Sequence, residues 1–277
     1  MEIKFQSVEY SYYKEGKKVL DGVSVKIGGE RITGIIGPSG SGKTTLIEMI
    51  NALRVPTKGK VIVGGTVVSK RKKIDNIKKF RSQIGMVFQF PEEQFFCDTV
   101  ASEIAFGLEQ FNCEIEENVK AALEMVDLNE SFLVRDPFSL SNGEMRKVAI
   151  ASALAYNPEI LILDEPTIGL DMASKKNLIK VLTTIKARYK KTVIIISHDV
   201  DFLCRVADDV VIMAYGKVLK TGKTIDVFKE EKELREHHIA VPRTIEFSNY
   251  VLQEKGIYLG YRAEINDLVK DILRHVK

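Results

Sequence analysis

The chain has 277 residues, 45% of them hydrophobic and 29% charged, which is enough for one large domain with an appendage. A formal net charge of +3 carries no argument for nucleic acid by itself. Cys97, Cys113 and Cys204 are widely spaced and form no Cys-x-x-Cys pair, which speaks against a disulfide framework or a zinc site and points to a reducing cytoplasm.

Met1-Glu2-Ile3-Lys4 lacks the apolar centre of a secretory leader. No window approaches ~18 uninterrupted apolar residues, so a membrane role is expected to run through a partner. Three β-like runs come first: Ile3 to Val8, Val23 to Ile27 and Ile32 to Ile36, with a turn at Gly28-Gly29 between the last two. The third run leads into Gly37-Pro38-Ser39-Gly40-Ser41-Gly42-Lys43-Thr44, the full Gly-x-x-x-x-Gly-Lys-Thr phosphate loop. A helical stretch, Leu46 to Ile50, follows it. Strand, loop and helix are the context this motif needs. The glycines let backbone N–H groups turn inward on a polyphosphate at a helix N-terminus, where the dipole favours anions. Lys43 is expected to reach the β- and γ-phosphates, and the Thr44 hydroxyl to ligate Mg²⁺.

Lys60 to Val68 reads as a hairpin turning at Gly64-Gly65. The basic run Lys70-Arg71-Lys72-Lys73, continued by Lys78-Lys79, reads as a solvated loop and helix face. Ile84 to Gln89 reads as a buried strand. From about 98 to 156 the pattern is helical, and then α/β alternation resumes. Ile160 to Leu163 and Val193 to Ile196 are continuous apolar runs, the pattern of strands buried on both faces of a parallel sheet. A helix over 172–190 joins them. Val210 to Met213 starts a last strand pair that ends near Leu219. Beyond about 225 the chain is a charged tail. In it Ile265, Leu268, Val269, Ile272, Leu273 and Val276 line one face of an amphipathic helix. That face fits either packing on the main domain or a dimer or partner contact.

Carboxylates sit where the sheet is expected to place its ligands. Leu161-Ile162-Leu163-Asp164-Glu165-Pro166 is an apolar strand ending in two acids, at the rim where open α/β sheets bind. Asp164 would hold Mg²⁺ and Glu165 would polarise the attacking water. Ser197-His198-Asp199 follows the next strand, which puts His198 on the same rim as a γ-phosphate contact. Gln89, at another strand end, could bind the metal or position water. Leu140-Ser141-Asn142-Gly143-Glu144 opens a helical run, and Ser141 with Glu144 fits a capping box that also offers an anion site.

Together these motifs resemble the nucleotide-binding subunit of ATP-binding-cassette transporters, over roughly residues 3–225. They run in that family's order: phosphate loop, Gln89, the 140–144 signature, Asp164-Glu165, Gly169-Leu170-Asp171, His198. The resemblance implies an α/β P-loop NTPase cassette over 1–225. It would have a mixed sheet core, an N-terminal antiparallel β part and an inserted helical subdomain at about 90–156. A small helical extension, 226–277, would follow as a candidate dimerisation element. It also implies that Gly37 through Thr45 hold ATP and that Tyr12 stacks on adenine, with Tyr13 the second choice. ATP would be sandwiched between two subunits, with the Ser141-Asn142-Gly143-Glu144 segment facing the partner's nucleotide and Asp171 a further nucleotide-binding residue. Against the family's Leu-Ser-Gly-Gly-Gln, Asn142 replaces a Gly and Glu144 a Gln, so the site this signature completes is expected to be less active and a heterodimer is favoured over a homodimer. A finer resemblance is to the ATPases of energy-coupling-factor importers of vitamins and transition-metal ions. It rests on Phe88 to Phe96, Arg146 to Ala151, Val241-Pro242-Arg243-Thr244 and the closing helix. It implies a coupling subunit and a substrate-binding subunit in the membrane, no nucleic acid, and a place on the cytoplasmic face through those partners. The alternatives are the ATPase of another importer of this family and a soluble cassette acting on nucleic acid. The latter usually carries a coiled-coil insertion or two cassettes. A P-loop GTPase would need an Asn-Lys-x-Asp motif that the chain lacks.

Overall fold

The computed structural model describes residues 1–13, 16–90, 93–111 and 114–275. Cys113 and Val276, named above, and two residues of the Phe88 to Phe96 stretch, Pro91 and Glu92, lie outside these residues.

Two sheets are stacked. Strands β1 (Ile3–Tyr10), β2 (Leu20–Ile27), β4 (Lys58–Val63) and β5 (Thr66–Val68) form an antiparallel sheet in the order β2-β1-β4-β5. The central sheet is built from β3 (Ile32–Ile36), β6 (Ile84–Val87), β7 (Ile160–Asp164), β8 (Thr192–Ile196), β9 (Asp209–Ala214) and β10 (Lys217–Lys223). Its order is β10-β9-β3-β8-β7-β6, parallel throughout except for the antiparallel β9–β10 edge. This is the mixed P-loop cassette expected from the sequence.

The continuous apolar runs have a direct physical cause. Leu161, Leu163, Val193, Ile195, Val210 and Ile212 face one core, and Ile160, Ile162, Ile194, Ile196, Val211 and Met213 face the other. Alternate residues of each strand are therefore buried on opposite sides. One core is closed by the antiparallel sheet and by α1 (Lys43–Glu48), which contributes Leu46 and Ile47. The other is closed by helices α3 (Val100–Phe111), α4 (Ile115–Met125), α5 (Asn142–Leu154), α6 (Met172–Tyr189) and α7 (Val200–Val206). A short helix α2 (Ile77–Arg81) precedes β6, and the basic run around it is exposed.

The tail is helical, with α8 (Thr224–Phe228), α9 (Glu231–Glu236), α10 (Arg243–Lys255) and α11 (Ile265–His275). Val227, Phe228, Leu234, Ile239, Val241 and Ile245 join the core beneath α6 and α7. On α11 only part of the apolar face is covered: Leu268 is buried, while Ile265, Val269 and Leu273 are exposed. Among the described residues no helix is long and apolar enough to cross a membrane.

Candidate nucleotide site

The expected phosphate, metal and water-activating residues lie at or just after the C-terminal ends of four parallel strands. β8 lies between β3 and β7, so the loops after Ile36, Asp164 and Ile196 are neighbours. The phosphate loop is tightly seated. A Cβ on Gly37 would stand 2.0 Å from the carbonyl oxygen of Met213, so only glycine fits there. Gly42, at the N-cap of α1, has φ 98°, a left-handed conformation open to glycine.

Lys43 is buried, and its ammonium donates to the carbonyls of Gly37 at 2.8 Å and Pro38 at 3.1 Å. Burial lowers its pKa, and the carboxylates of Glu165 and Asp164 work against that shift. The Thr44 hydroxyl donates to Asp164 Oδ2 at 3.4 Å. Burial, then repulsion from Glu165, holds the Asp164 carboxyl above its ordinary range. A hydroxyl and a carboxylate side by side are hard oxygen donors of the kind Mg²⁺ takes alongside phosphate oxygens and waters. Among the described residues the buried Ser41 Oγ has no hydrogen-bond partner, as expected of a loop built to face a polar ligand.

Glu165 adopts φ 48°, unusual for a side chain of its size, and its N–H is held by the Ile196 carbonyl at 2.8 Å. The conformation turns the carboxylate towards the β8 loop. Oε2 accepts from the His198 N–H at 3.2 Å. Oε1 lies 3.4 Å from His198 Nε2 and is buried; among the described residues it makes no hydrogen bond of ordinary geometry, although the Ser197 side chain is close enough to help lower the carboxyl pKa. Burial raises the Glu165 pKa despite the His198 N–H, Lys43 and the Ser197 side chain. Burial and the nearby Lys43 lower that of His198, whose side chain is half exposed, so the ring is neutral at pH 7. A carboxyl with a raised pKa, beside a neutral imidazole, is suited to accept a proton from water.

The remaining expected residues divide into two groups. Tyr12 lies beside the loop, its hydroxyl 3.0 Å from Thr45 Oγ1. One face of its ring carries the Arg54 guanidinium, 4.6 Å from the centroid. Tyr13 is largely exposed and has no such neighbour among the described residues. Gln89, two residues past β6, is half-buried and is held by its main-chain carbonyl. Ser141 caps α5 in the full capping box expected for it. The Glu144 carboxylate accepts from the Ser141 N–H at 2.9 Å and the Ser141 hydroxyl at 2.7 Å, with Arg135 at 3.6 Å. These bonds hold its pKa below the ordinary value. Asn142 Nδ2 donates to the Gly169 carbonyl at 3.4 Å, and Asp171 caps α6 through the Ser174 N–H at 2.7 Å. Gly143 opens α5 beside Asn142.

Sequence reasoning missed two groups. Arg54 ion-pairs with Glu48 and bonds the Tyr10 hydroxyl while covering Tyr12. Arg146, on α5, reaches the carbonyls of Phe88, Gln89 and Ile168. Neither belongs to a spacing pattern, and Arg146 stood only as part of the helical run, Arg146 to Ala151, that carries the finer resemblance.

Residues 20–168 match the family described as ABC transporter. The chain belongs to that family. The cassette is 38% identical over 262 residues to the energy-coupling factor transporter ATP-binding protein EcfA2 of Lactiplantibacillus plantarum, covering 92% of this chain and 88% of that one. It is 40% identical over 285 residues to EcfA2 of Spiroplasma kunkelii, covering 99% and 93%. Among solved structures it is similar to cbiO1 of Clostridium perfringens, described as part of the ABC transporter complex cbiONQ. The TM-score there is 0.77 and the identity 30%, covering 89% of this chain and 98% of that one. A dimeric ATP-binding cassette bound to ADP and Pi in a post-hydrolysis state matches with TM-score 0.69 and 27% identity, covering 80% and 98%. The cassette is an ATPase whose hydrolysis is coupled to transport.

Proposed function

We propose that this cassette is the ATPase of an energy-coupling-factor importer for a vitamin or a transition-metal ion. One observation carries the reading: the likeness to proteins named EcfA2 runs over 92–99% of the chain, through the tail as well as the cassette. In this reading the subunit sits on the cytoplasmic face, held there by a coupling subunit and a substrate-binding subunit in the membrane. Exposed Phe88, Phe90, Phe96 and Phe106 are the apolar surface for the coupling subunit. Phe95, next to Phe96 in the chain, is buried and packs on Phe138, so it belongs to the core instead.

Thr44 and Asp164 would hold Mg²⁺, which supplies neutralisation of phosphate charge, with Gln89 as a further ligand or water-positioning group. ATP would lie against Gly37–Thr45 with Tyr12 at the base. Glu165 takes the proton of the attacking water as the water oxygen bonds the γ-phosphorus and the bond to the β-phosphate oxygen breaks. His198, neutral, donates a hydrogen bond to the γ-phosphate. Lys43 exchanges two loop carbonyls for phosphate oxygens.

The second cassette is expected to be a different chain. Ser141, Asn142, Gly143 and Asp171 would face the partner's nucleotide, and the capping box and Arg135 already absorb the Glu144 charge. Asn142 is then the departure that remains, with its side chain beside the Gly169 carbonyl. Asn142→Gly should raise turnover at the site it completes by about 2- to 5-fold, the effect of ~0.5–1 kcal/mol on a barrier. Unchanged turnover would mean that the asparagine is neutral. The whole proposal is tested by purifying the tagged chain from native membranes. Expected are one related cassette and two membrane proteins in the complex. Recovery with nucleic acid, or as a homodimer without membrane subunits, overturns it.

A further inference from the structure

We propose that Arg146 is a positioning residue that ties this subunit's own catalytic loops to the segment it presents to the opposite nucleotide. The inference rests on the two-cassette sandwich of the preceding section. Arg146 lies on α5, five residues beyond the capping Ser141, and is 5% exposed. Its Nη1 donates to the Gln89 carbonyl at 3.0 Å and the Phe88 carbonyl at 3.5 Å, and its Nη2 donates to the Ile168 carbonyl at 3.3 Å. Those acceptors belong to the two loops that follow β6 and β7, the loops that carry Gln89 and Glu165.

The chemistry of the guanidinium makes this a coupling device. Its planar fork fixes the directions of its donors, so the two loops are held at a set spacing from each other and from α5. The acceptors are main-chain carbonyls, so the clamp acts on the path of the backbone and not on one side chain. Displacement of the Gln89 loop must carry the guanidinium along or break a buried, charge-assisted hydrogen bond. Since the guanidinium stands on the second turn of α5, the same displacement reorients the Ser141–Gly143 segment. Occupancy at one ATP site is thereby reported to the segment that completes the other.

The test uses the assembled transporter carrying Glu165→Gln, with Arg146 intact, Arg146→Met or Arg146→Lys. ATP affinity is read with a fluorescent analogue at this chain's phosphate loop. Closure is read as amide-exchange protection of residues 141–145. In the Met variant affinity should stay within about 2-fold, while the ATP concentration needed for protection should rise about 10-fold, the size of an ordinary coupling between sites. Lys, which reaches one acceptor at a time, should recover part of that loss. Affinity and protection weakening in parallel, or protection at the unmodified ATP concentration in both variants, overturns the proposal. Should the Met variant fail to fold, the Lys variant decides: unaltered closure in it overturns the role. If ATP gives no protection even with Arg146 intact, the sandwich reading fails and this inference with it.

Discussion

Glu165→Gln should leave ATP binding intact and slow turnover by ~10²-fold or more, the scale of a lost general base. The glutamine keeps the shape and can still accept from the His198 N–H, as Oε2 does at 3.2 Å. It loses the basic oxygen Oε1, which is buried and makes no hydrogen bond of ordinary geometry among the described residues. Lys43→Ala should behave in the opposite way. Its ammonium is the buried cation of the phosphate loop, so its removal should weaken nucleotide binding itself, with hydrolysis falling only as a consequence. Equilibrium ATP titration and single-turnover hydrolysis on both variants separate the two. Near-normal turnover in the Glu165→Gln complex, measured with the partner cassette's own site inactivated, would sink the assignment.

The same substitution has a stability signature with a defined sign. The folded-state pKa of Glu165 lies above its ordinary value, chiefly through burial. The folded chain therefore holds this proton more tightly than the unfolded chain does. Its contribution to stability is full below the ordinary carboxylate value and is lost as pH rises through the raised one. At neutral pH the ionised carboxylate is a cost, and Asp164, shifted the same way, adds to it. Glu165→Gln should accordingly melt higher than the parent near pH 7, with the gap closing as pH falls into the carboxylate range. A melting curve at several pH values checks this, and a lower Tm at pH 7 would contradict the burial argument. The electrostatic tension lies at the candidate catalytic rim, and perturbed pKa values cluster at functional sites.

Much of this rim was legible in the chain because strands buried on both faces leave unbroken apolar runs. A run that stops at Asp164 or Ile196 marks a strand end, and a parallel sheet gathers such ends along one edge. The capping box was legible too, since its partners are three residues apart. Contacts between distant loops were not. Arg146 meets Gln89 and Ile168 across separations of 57 and 22 residues, and no periodicity predicts them. In α11 the apolar spacing identified a helix face but not its cover. Asp271, on the side expected to be polar, is buried and paired with Arg262 at 2.6 Å. The 94–97 segment is irregular backbone, where neither helical nor strand period separates Phe95 from Phe96.

Phe96→Asp should fold and bind ATP yet fail to assemble with the membrane subunits, abolishing transport. Phe96 is 60% exposed and stacks edge-on against Phe106, itself 43% exposed, with ring centres 4.6 Å apart. Exposed aromatic surface of this kind marks a contact site. The backbone beneath is fixed independently of the ring, because the Phe96 and Cys97 N–H groups both donate to the buried Glu103 carboxylate at 3.1 Å. Loss of the ring pair should cost about 1 kcal/mol of stability, the worth of one aromatic contact. Burying an unpaired carboxylate in an apolar interface costs far more, so binding should suffer where folding does not. Phe96→Gln, which brings no charge near Glu103, should fold equally well and weaken assembly less. Phe95→Asp provides the contrast: that ring is 7% exposed and packs on Phe138, so the variant should fail at folding. Pull-down with the coupling subunit and Tm on all three variants decide the matter. Unfolding of Phe96→Asp, or full assembly with it, would move the docking surface elsewhere on the cassette.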